Sequence, residues 1–252
     1  MKLYLPKTYD LAELARANLH THTNFSGCAK PEMTVPAMIE RAKSLGLSRL
    51  AFTDHFHDDT GDENYLAYVA KIKEQAALIP DAPELLFGAE LSAIGVGCRL
   101  EAPETSAAMD YRLYSTNHFH CHYWHQPEEK TARGYAEFML DIVRDLALSG
   151  MADCIAHPLV GRYVHAVSDR SEVSAAITDN ELGDILTHMR NCDVAYEINY
   201  SAVFRFPEFA RRWWPIGKAV GVTFTIGTDA HTLDGLDTFG PLDDLRRALG
   251  DI

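Results

Sequence analysis

Two histidines separated by one threonine, His20 and His22, sit in "NLHTHTNFSGCAKP", and Cys28 follows six residues after the second. Side chains of an extended chain alternate with period two, so these imidazoles face one side and could share a metal ion. "GTDAH" repeats the spacing with Asp229 and His231 near the other end of the chain. Between them lie "TDH" with Asp54 and His55, "GAE" with Glu90, "TNHFH" with His118 and His120, "HP" with His157, and "EIN" with Glu197 and Asn199. Imidazoles and carboxylates make a nitrogen and oxygen donor set that suits zinc, iron or manganese. A carboxylate such as Glu90 can also bridge two ions, because each of its oxygens carries its own lone pairs.

These groups are positioned by a recurring pattern. Each closes a short apolar run: "ANLHTH", "RLAFTDH", "LLFGAE", "YRLYSTNH", "ADCIAHP", "VAYEIN" and "VTFTIGTDAH". The runs have the length and β-enrichment of buried strands. Between several of them lie helical segments. "TVPAMIERAKSLG" starts at a capping Thr34, carries Pro36 in its first turn and stops at Gly46. "ENYLAYVAKIKEQAALI" and "YAEFMLDIVRDLALSG" keep apolar residues at three- and four-residue intervals, and "NELGDILTHMR", "PEFARRWWPIGKAV" and "PLDDLRRALG" are shorter candidates. Strand and helix alternation in one chain implies a parallel sheet with right-handed crossovers. The fold expected is α/β, a distorted seven-stranded β/α barrel of the TIM-like kind. Every polar group then stands at a C-terminal strand end, the face on which barrel active sites are built. Residues 92–109 show no clear helix and read as an irregular excursion.

Bulk composition agrees with a single domain over residues 1–252, since barrels of this kind run to about 250 residues. The formal net charge of −13 argues against broad nucleic-acid binding, which needs a basic surface to displace counterions. It does not exclude a phosphate substrate, because cations reverse the local charge of an acidic site. Five widely spaced cysteines without a C-x-x-C pair argue against a disulfide framework and fit a reducing cytoplasm. The N-terminal "MKLYLPKTYDLAELARAN" is too polar for a secretory leader, and no apolar run approaches the roughly 20 residues of a membrane span. Oligomeric state is not legible.

Taken in order, H-x-H, T-D-H, G-A-E, a histidine after a fourth strand, H-P, E-x-N and D-A-H resemble the polymerase and histidinol phosphatase (PHP) superfamily. The likeness runs from Asn18 to His231. It implies a barrel with two or three divalent metal ions at its mouth, and in many members hydrolysis of phosphate esters. Carried over, His20, His22, Glu90 and Asp229 would hold one ion, and Glu90 would bridge to another bound by His118 and His157. His55 and His231 would hold a third, with a ligand from the first loop that is a histidine in several members and stands here as Cys28. His120 is the second choice for the fourth-strand ligand. Asp54 and Glu197 are expected to hold ligands in place.

The expected activity is phosphomonoester hydrolysis of a small metabolite by a metal-bound hydroxide, with no protein nucleophile. Arg162, in "HPLVGR", would supply a planar fork for the phosphate, and Asn199 could also meet substrate. His122 and His125, beside Tyr123 and Trp124, would line or border a pocket. His57 in "HFHDDTGDEN" reads as part of a solvated acidic loop, and His188 as a surface residue. Two other readings stay open. One is an amidohydrolase-like hydrolase of C–N bonds, which would lead one to expect a bridging carboxylated lysine. The other is a non-catalytic metal-binding domain.

Overall fold

In the computed structural model, which describes residues 7–251, eight strands form one sheet. The first six residues, part of the polar N-terminal stretch and of the expected single domain, and residue 252 lie outside the described residues. Strands β1 (Ala17–Asn18), β2 (Arg49–Phe52), β3 (Glu84–Gly95), β4 (Cys98–Arg99), β5 (Tyr111–Ser115), β6 (Cys154–Ala156), β7 (Ala195–Asn199) and β8 (Phe224–Gly227) follow in chain order. Seven are parallel, in the order β1-β2-β3-β5-β6-β7-β8, while β4 pairs antiparallel with the far end of β3. The sheet nearly closes on itself. Leu19 N donates to Ile226 O and His22 N to Ala230 O across the seam, and Thr21 bridges Ala230.

Alternation along the strands divides the core in two. Leu19, Ala51, Leu86, Leu113, Cys154 and Ala195 fill the barrel, while Tyr114, Ile155, Tyr196 and Ile226 pack outward under the helices. The helices begin and end where chemistry dictates. Val35–Leu45 is capped by the Thr34 hydroxyl and stops at Gly46, whose φ of 73° is the left-handed conformation that glycine adopts without a Cβ penalty. Asp179–Asn191 opens with a reciprocal Thr178–Glu181 capping box. Asp62–Ala76, Ala132–Ser149, Pro207–Val220 and Leu242–Leu249 occupy the other expected segments.

The sheet departs from expectation around Glu90. Residues 92–109 are not wholly irregular: β3 continues to Gly95, turns into β4, and a short helix spans Pro103–Ala107. Glu90 therefore lies within its strand rather than at its end. The antiparallel β4 gives the overshooting part of β3 a hydrogen-bonding partner, so the strand need not stop at the barrel mouth.

Candidate metal centre

The strand ends bring together side chains as far apart in sequence as His22 and Asp229, 207 residues. The β2 edge continues past Phe52 as an isolated parallel bridge between His55 and Glu90, with Phe56 N donating to Glu90 O at 3.0 Å. This sets the Glu90 carboxylate, 1% exposed, between two groups of histidines. Its Oε1 lies 3.1 Å from His157 Nε2 and 3.6 Å from His118 Nε2. Its Oε2 lies 3.3 Å from His20 Nε2, 3.7 Å from His22 Nε2 and 2.8 Å from His55 Nδ1. Asp229 Oδ1 completes the second side, 3.0 Å from His22 Nε2 and 3.5 Å from His20 Nε2. Three groups result, two of them sharing His22, each with donor atoms within 4.8 Å of one another: Glu90, His118 and His157; His20, His22 and Asp229; and His22, Cys28, His55 and His231.

Such an arrangement fits cations better than it fits hydrogen bonding. His20 Nε2, His22 Nδ1 and His157 Nδ1 are buried and have no hydrogen-bond partner among the described residues. Buried polar atoms left unpaired are costly, and His20 Nε2 lies 3.3 Å from the Glu90 carboxylate at which the other donors gather. Divalent ions would satisfy them, so the donor set and its packing agree with a metal centre.

Other residues hold these donors in place. Glu197 Oε1 pairs with His20 Nδ1 at 2.7 Å, which fixes the ring and turns Nε2 toward Glu90, while Glu197 Oε2 accepts from the His157 backbone N–H at 2.5 Å. Gly227 makes that pairing sterically feasible, because a Cβ there would collide with Glu197 Oε1 and His20 Cβ. Asp54 accepts from the Thr23 N–H and hydroxyl, both at 2.7 Å, and so ties the loop after β1 to the end of β2. His157 and Asp229 have φ of 31° and 56°, strained for residues with a Cβ. That cost, of order 1–3 kcal/mol each, is characteristic of sites where side-chain direction outranks backbone comfort. We expect Glu197→Gln to weaken metal affinity about 10- to 100-fold, since it loosens a ligand without removing one. Competition with a chromogenic chelator measures this, and unchanged affinity would leave Glu197 a purely structural acid.

The electrostatics follow from burial set against converging charge. Burial alone would lower the His20 pKa, but Glu197, Glu90 and Asp229 outweigh it and hold the ring well above its ordinary value of 6.5. His55 is raised likewise, burial being overcome by Glu90 and Cys28. His22 goes the other way, to about 3, through burial and its neighbour His55, and burial also lowers His118. Burial would raise Glu90, yet His55, His20 and His118 hold it well below the usual carboxylate range; His20 and His22 do the same for Asp229. At the rim, burial would raise Cys28, but hydrogen bonds with His231 and His55 bring it down to about 7.

Around the centre, expectation and structure agree unevenly. Arg162 Nη1 reaches Asp229 Oδ2 at 3.2 Å, and its guanidinium lies 4.9 Å from the Tyr163 ring centre. His120 belongs to none of the three groups; its ring packs on Tyr163 at 4.3 Å instead. Asn199, expected at the substrate, is buried as the cap of helix Tyr200–Arg205, its Oδ1 accepting from Ala202 N at 3.0 Å. His122 projects into solvent beside Asp58, and His125 lies against Gly95, so neither lines the cleft next to the centre. His188 is half-buried rather than a free surface residue, bonded to Arg144 O at 3.1 Å.

His57 is a correction in the opposite sense. Instead of belonging to a solvated loop, it stacks on His55 at 4.9 Å and its Nδ1 meets Tyr123 Oη at 2.9 Å. It lines, with Cys28, His55, Thr60, Asn64 and Tyr68, a cleft of about 410 Å³. The signal was present in the sequence: His55 and His57 repeat the one-residue spacing of His20 and His22.

The family model described as PHP domain matches residues 18–201, most of the chain and six of the seven runs that carry the donors. The chain belongs to the PHP domain family. Among solved structures, a histidinol phosphate phosphatase from Lactococcus lactis, crystallised with zinc, L-histidinol and phosphate, aligns with a TM-score of 0.57 and 17% identity. The alignment covers 92% of this PHP chain and 93% of that protein, a likeness of fold. A GH5-4 endoglucanase from Clostridium longisporum aligns over 95% of this chain and 96% of its own at 10% identity, but its TM-score of 0.33 carries no argument. No curated protein sequence matches the chain. No helix among the described residues of this PHP protein is long and apolar enough to cross a membrane.

Proposed function

We propose that the protein is a metal-dependent phosphoesterase, hydrolysing a small phosphorylated metabolite as a phosphomonoesterase with two or three divalent cations. The observation that carries this reading is the division of Glu90, one oxygen toward His118 and His157 and the other toward His20, His22 and His55. A carboxylate shared in this way suits two adjacent cations, and PHP membership makes phosphate chemistry the natural use of them. Bound there, the cations would supply Lewis acidity, activating water and neutralising charge on phosphoryl oxygens.

The chain's own residues have separate tasks. Arg162, anchored on Asp229 and backed by Tyr163, presents a planar fork for two phosphoryl oxygens at the edge of the centre. Glu197 keeps His20 in one tautomer and one orientation. Cys28 points its sulfur at His55 and His231, so it takes the part of a donor rather than a nucleophile. A cleft of about 410 Å³ has room for a metabolite-sized leaving group, and a net charge of −13 disfavours a nucleic-acid polymer. The bridging place that a C–N hydrolase of the amidohydrolase kind would give to a carboxylated lysine is taken by Glu90.

The test is a panel of phosphomonoesters and phosphodiesters, histidinol phosphate included, assayed with zinc, manganese and iron. Turnover of monoesters with at least one metal is expected, and inertness toward the whole panel would sink the reading. In the same assay Arg162→Lys, which keeps the charge but loses the fork, should lower kcat/KM about 10- to 100-fold, the worth of one hydrogen bond to a charged group. Inhibition by inorganic phosphate should weaken in parallel; undiminished inhibition would remove Arg162 from the phosphoryl position.

A further inference from the structure

The outermost of the three donor groups differs in kind from the other two. His22, His55, His231 and Cys28 bring their donor atoms within 4.8 Å of one another, and only here does sulfur join the set. Cys28 meets both His55 and His231 through its sulfur. Its loop is fastened to the backbone of those same two histidines: Lys30 N donates to His231 O at 2.9 Å, and His55 N donates to Ser26 Oγ at 3.2 Å. The turn between is closed by Ser26 N to Thr23 O and Ala29 N to Ser26 O. Cys28 is thus delivered to the histidines by five residues of ordered loop. A second observation also points to a ligand. His22 is fully buried, yet its Nδ1 has no hydrogen-bond partner among the described residues.

We propose that Cys28 makes this outer position a thiolate site, held with His55 and His231, that selects zinc over manganese and opens onto the cleft. The inference rests on the metal-centre reading and adds what distinguishes this chain. Two neutral imidazoles alone would leave the outer ion weakly held and unselective. A thiolate adds a charge and a soft donor, which favours zinc over a hard ion such as manganese. Because His22 is engaged with Asp229 through Nε2, the outer ion would have three protein donors in Cys28, His55 and His231, and a four-coordinate ion would then keep one position for water or substrate. Cys28, His55 and His57 line the cleft, so that position would face the space where a substrate binds. The two buried groups contain only nitrogen and oxygen donors and would not share the preference.

Cobalt(II) is the probe, because a cobalt–thiolate bond gives a near-ultraviolet charge-transfer band that nitrogen and oxygen ligands do not. The full-length protein is stripped, titrated with cobalt without oxygen, and its bound metal counted by elemental analysis. Wild type should show the band and bind one more ion per chain than Cys28→Ser, which should lack it. Cys28→His should recover the additional ion without the band, and its outer site should lose roughly tenfold in zinc-over-manganese preference. Cobalt bound by wild type without a thiolate band, or a band that persists in Cys28→Ser, would overturn the proposal while leaving the buried sites standing. Failure of both wild type and Cys28→Ser to bind any cobalt would overturn the metal-centre reading itself, and this inference with it.

Discussion

Glu90→Gln is expected to reduce turnover on the order of 10³-fold and to lower the bound metal by at least one ion per chain. The magnitude is the upper end for removing one electrostatic group aimed at reacting atoms, and corresponds to about 4 kcal/mol of transition-state stabilisation. The glutamine keeps the volume and one oxygen but loses the charge that lets two cations stand side by side. Its amide nitrogen would also turn a donor toward one of the two histidine groups. The variant should still fold, because the histidines around position 90 can shed their protons. Glu90 is one of the acids that hold His20 and His55 above 6.5, so both should titrate lower in the variant. Elemental analysis, circular dichroism and the phosphoester assay read the three consequences separately. Full metal occupancy with unchanged turnover would break the model of a shared carboxylate. Loss of fold would show that Glu90 is needed for assembly, and the Glu197→Gln variant then carries the test.

The residues that gather at this candidate centre were legible for a physical reason. Metal ligation restricts residue type severely, and parallel strands put it at one repeated place, the run's polar end. His20, His22, Asp229 and His231 could therefore be paired by spacing alone, and Glu90 stood out as the lone acid of its run. Helix limits were legible where a side chain itself caps, as at Thr34 and Thr178. What escaped was decided by tertiary contact. Asn199 looked like a substrate residue because it alternates with Glu197, but the helix starting at Tyr200 leaves an N–H to be capped, and the Asn199 carbonyl oxygen takes it. The β4 hairpin was invisible because two residues make no periodicity, and Glu90 was assigned to a strand end that lies five residues further on.

His57 and Tyr123 teach a different lesson. Each belongs to a loop whose local sequence is polar and mixed, and neither loop alone shows that the two residues meet. Their hydrogen bond joins the loop after β2 to the loop after β5, beside the stacked His55. Contacts of this kind depend on how strand register orients two loops, a quantity no single segment encodes. The rim was thus the least readable part of the molecule, whereas the buried donors were the most readable.

Stripping the metal should destabilise the protein, and by more at about pH 8 than at pH 6.5. In the stripped protein His20 and His55 have raised pKa values, so the folded state holds their protons more tightly than the unfolded chain does. That contribution is complete below 6.5 and is lost as pH rises through the raised values. His22, at about 3, and His118 are lowered instead, so the folded state refuses protons that the unfolded chain accepts as pH falls below 6.5. Stability of the stripped protein should therefore peak near 6.5 and decline on both sides. The Cys28 thiolate, at about 7, acts in the opposite direction between there and its ordinary 9.0, but it is exposed and screened, and Cys28→Ser isolates its part. With zinc bound the alkaline trend reverses, because ligands must be deprotonated to bind and affinity rises with pH. At a thousandfold excess over the dissociation constant the ion contributes about 4 kcal/mol, roughly 10 °C in Tm for a chain of this size. Thermal unfolding of chelator-treated and zinc-loaded protein from about pH 5.5 to about pH 8.5 should give curves that diverge above 6.5. Parallel curves would mean that the buried histidines take no part in holding metal.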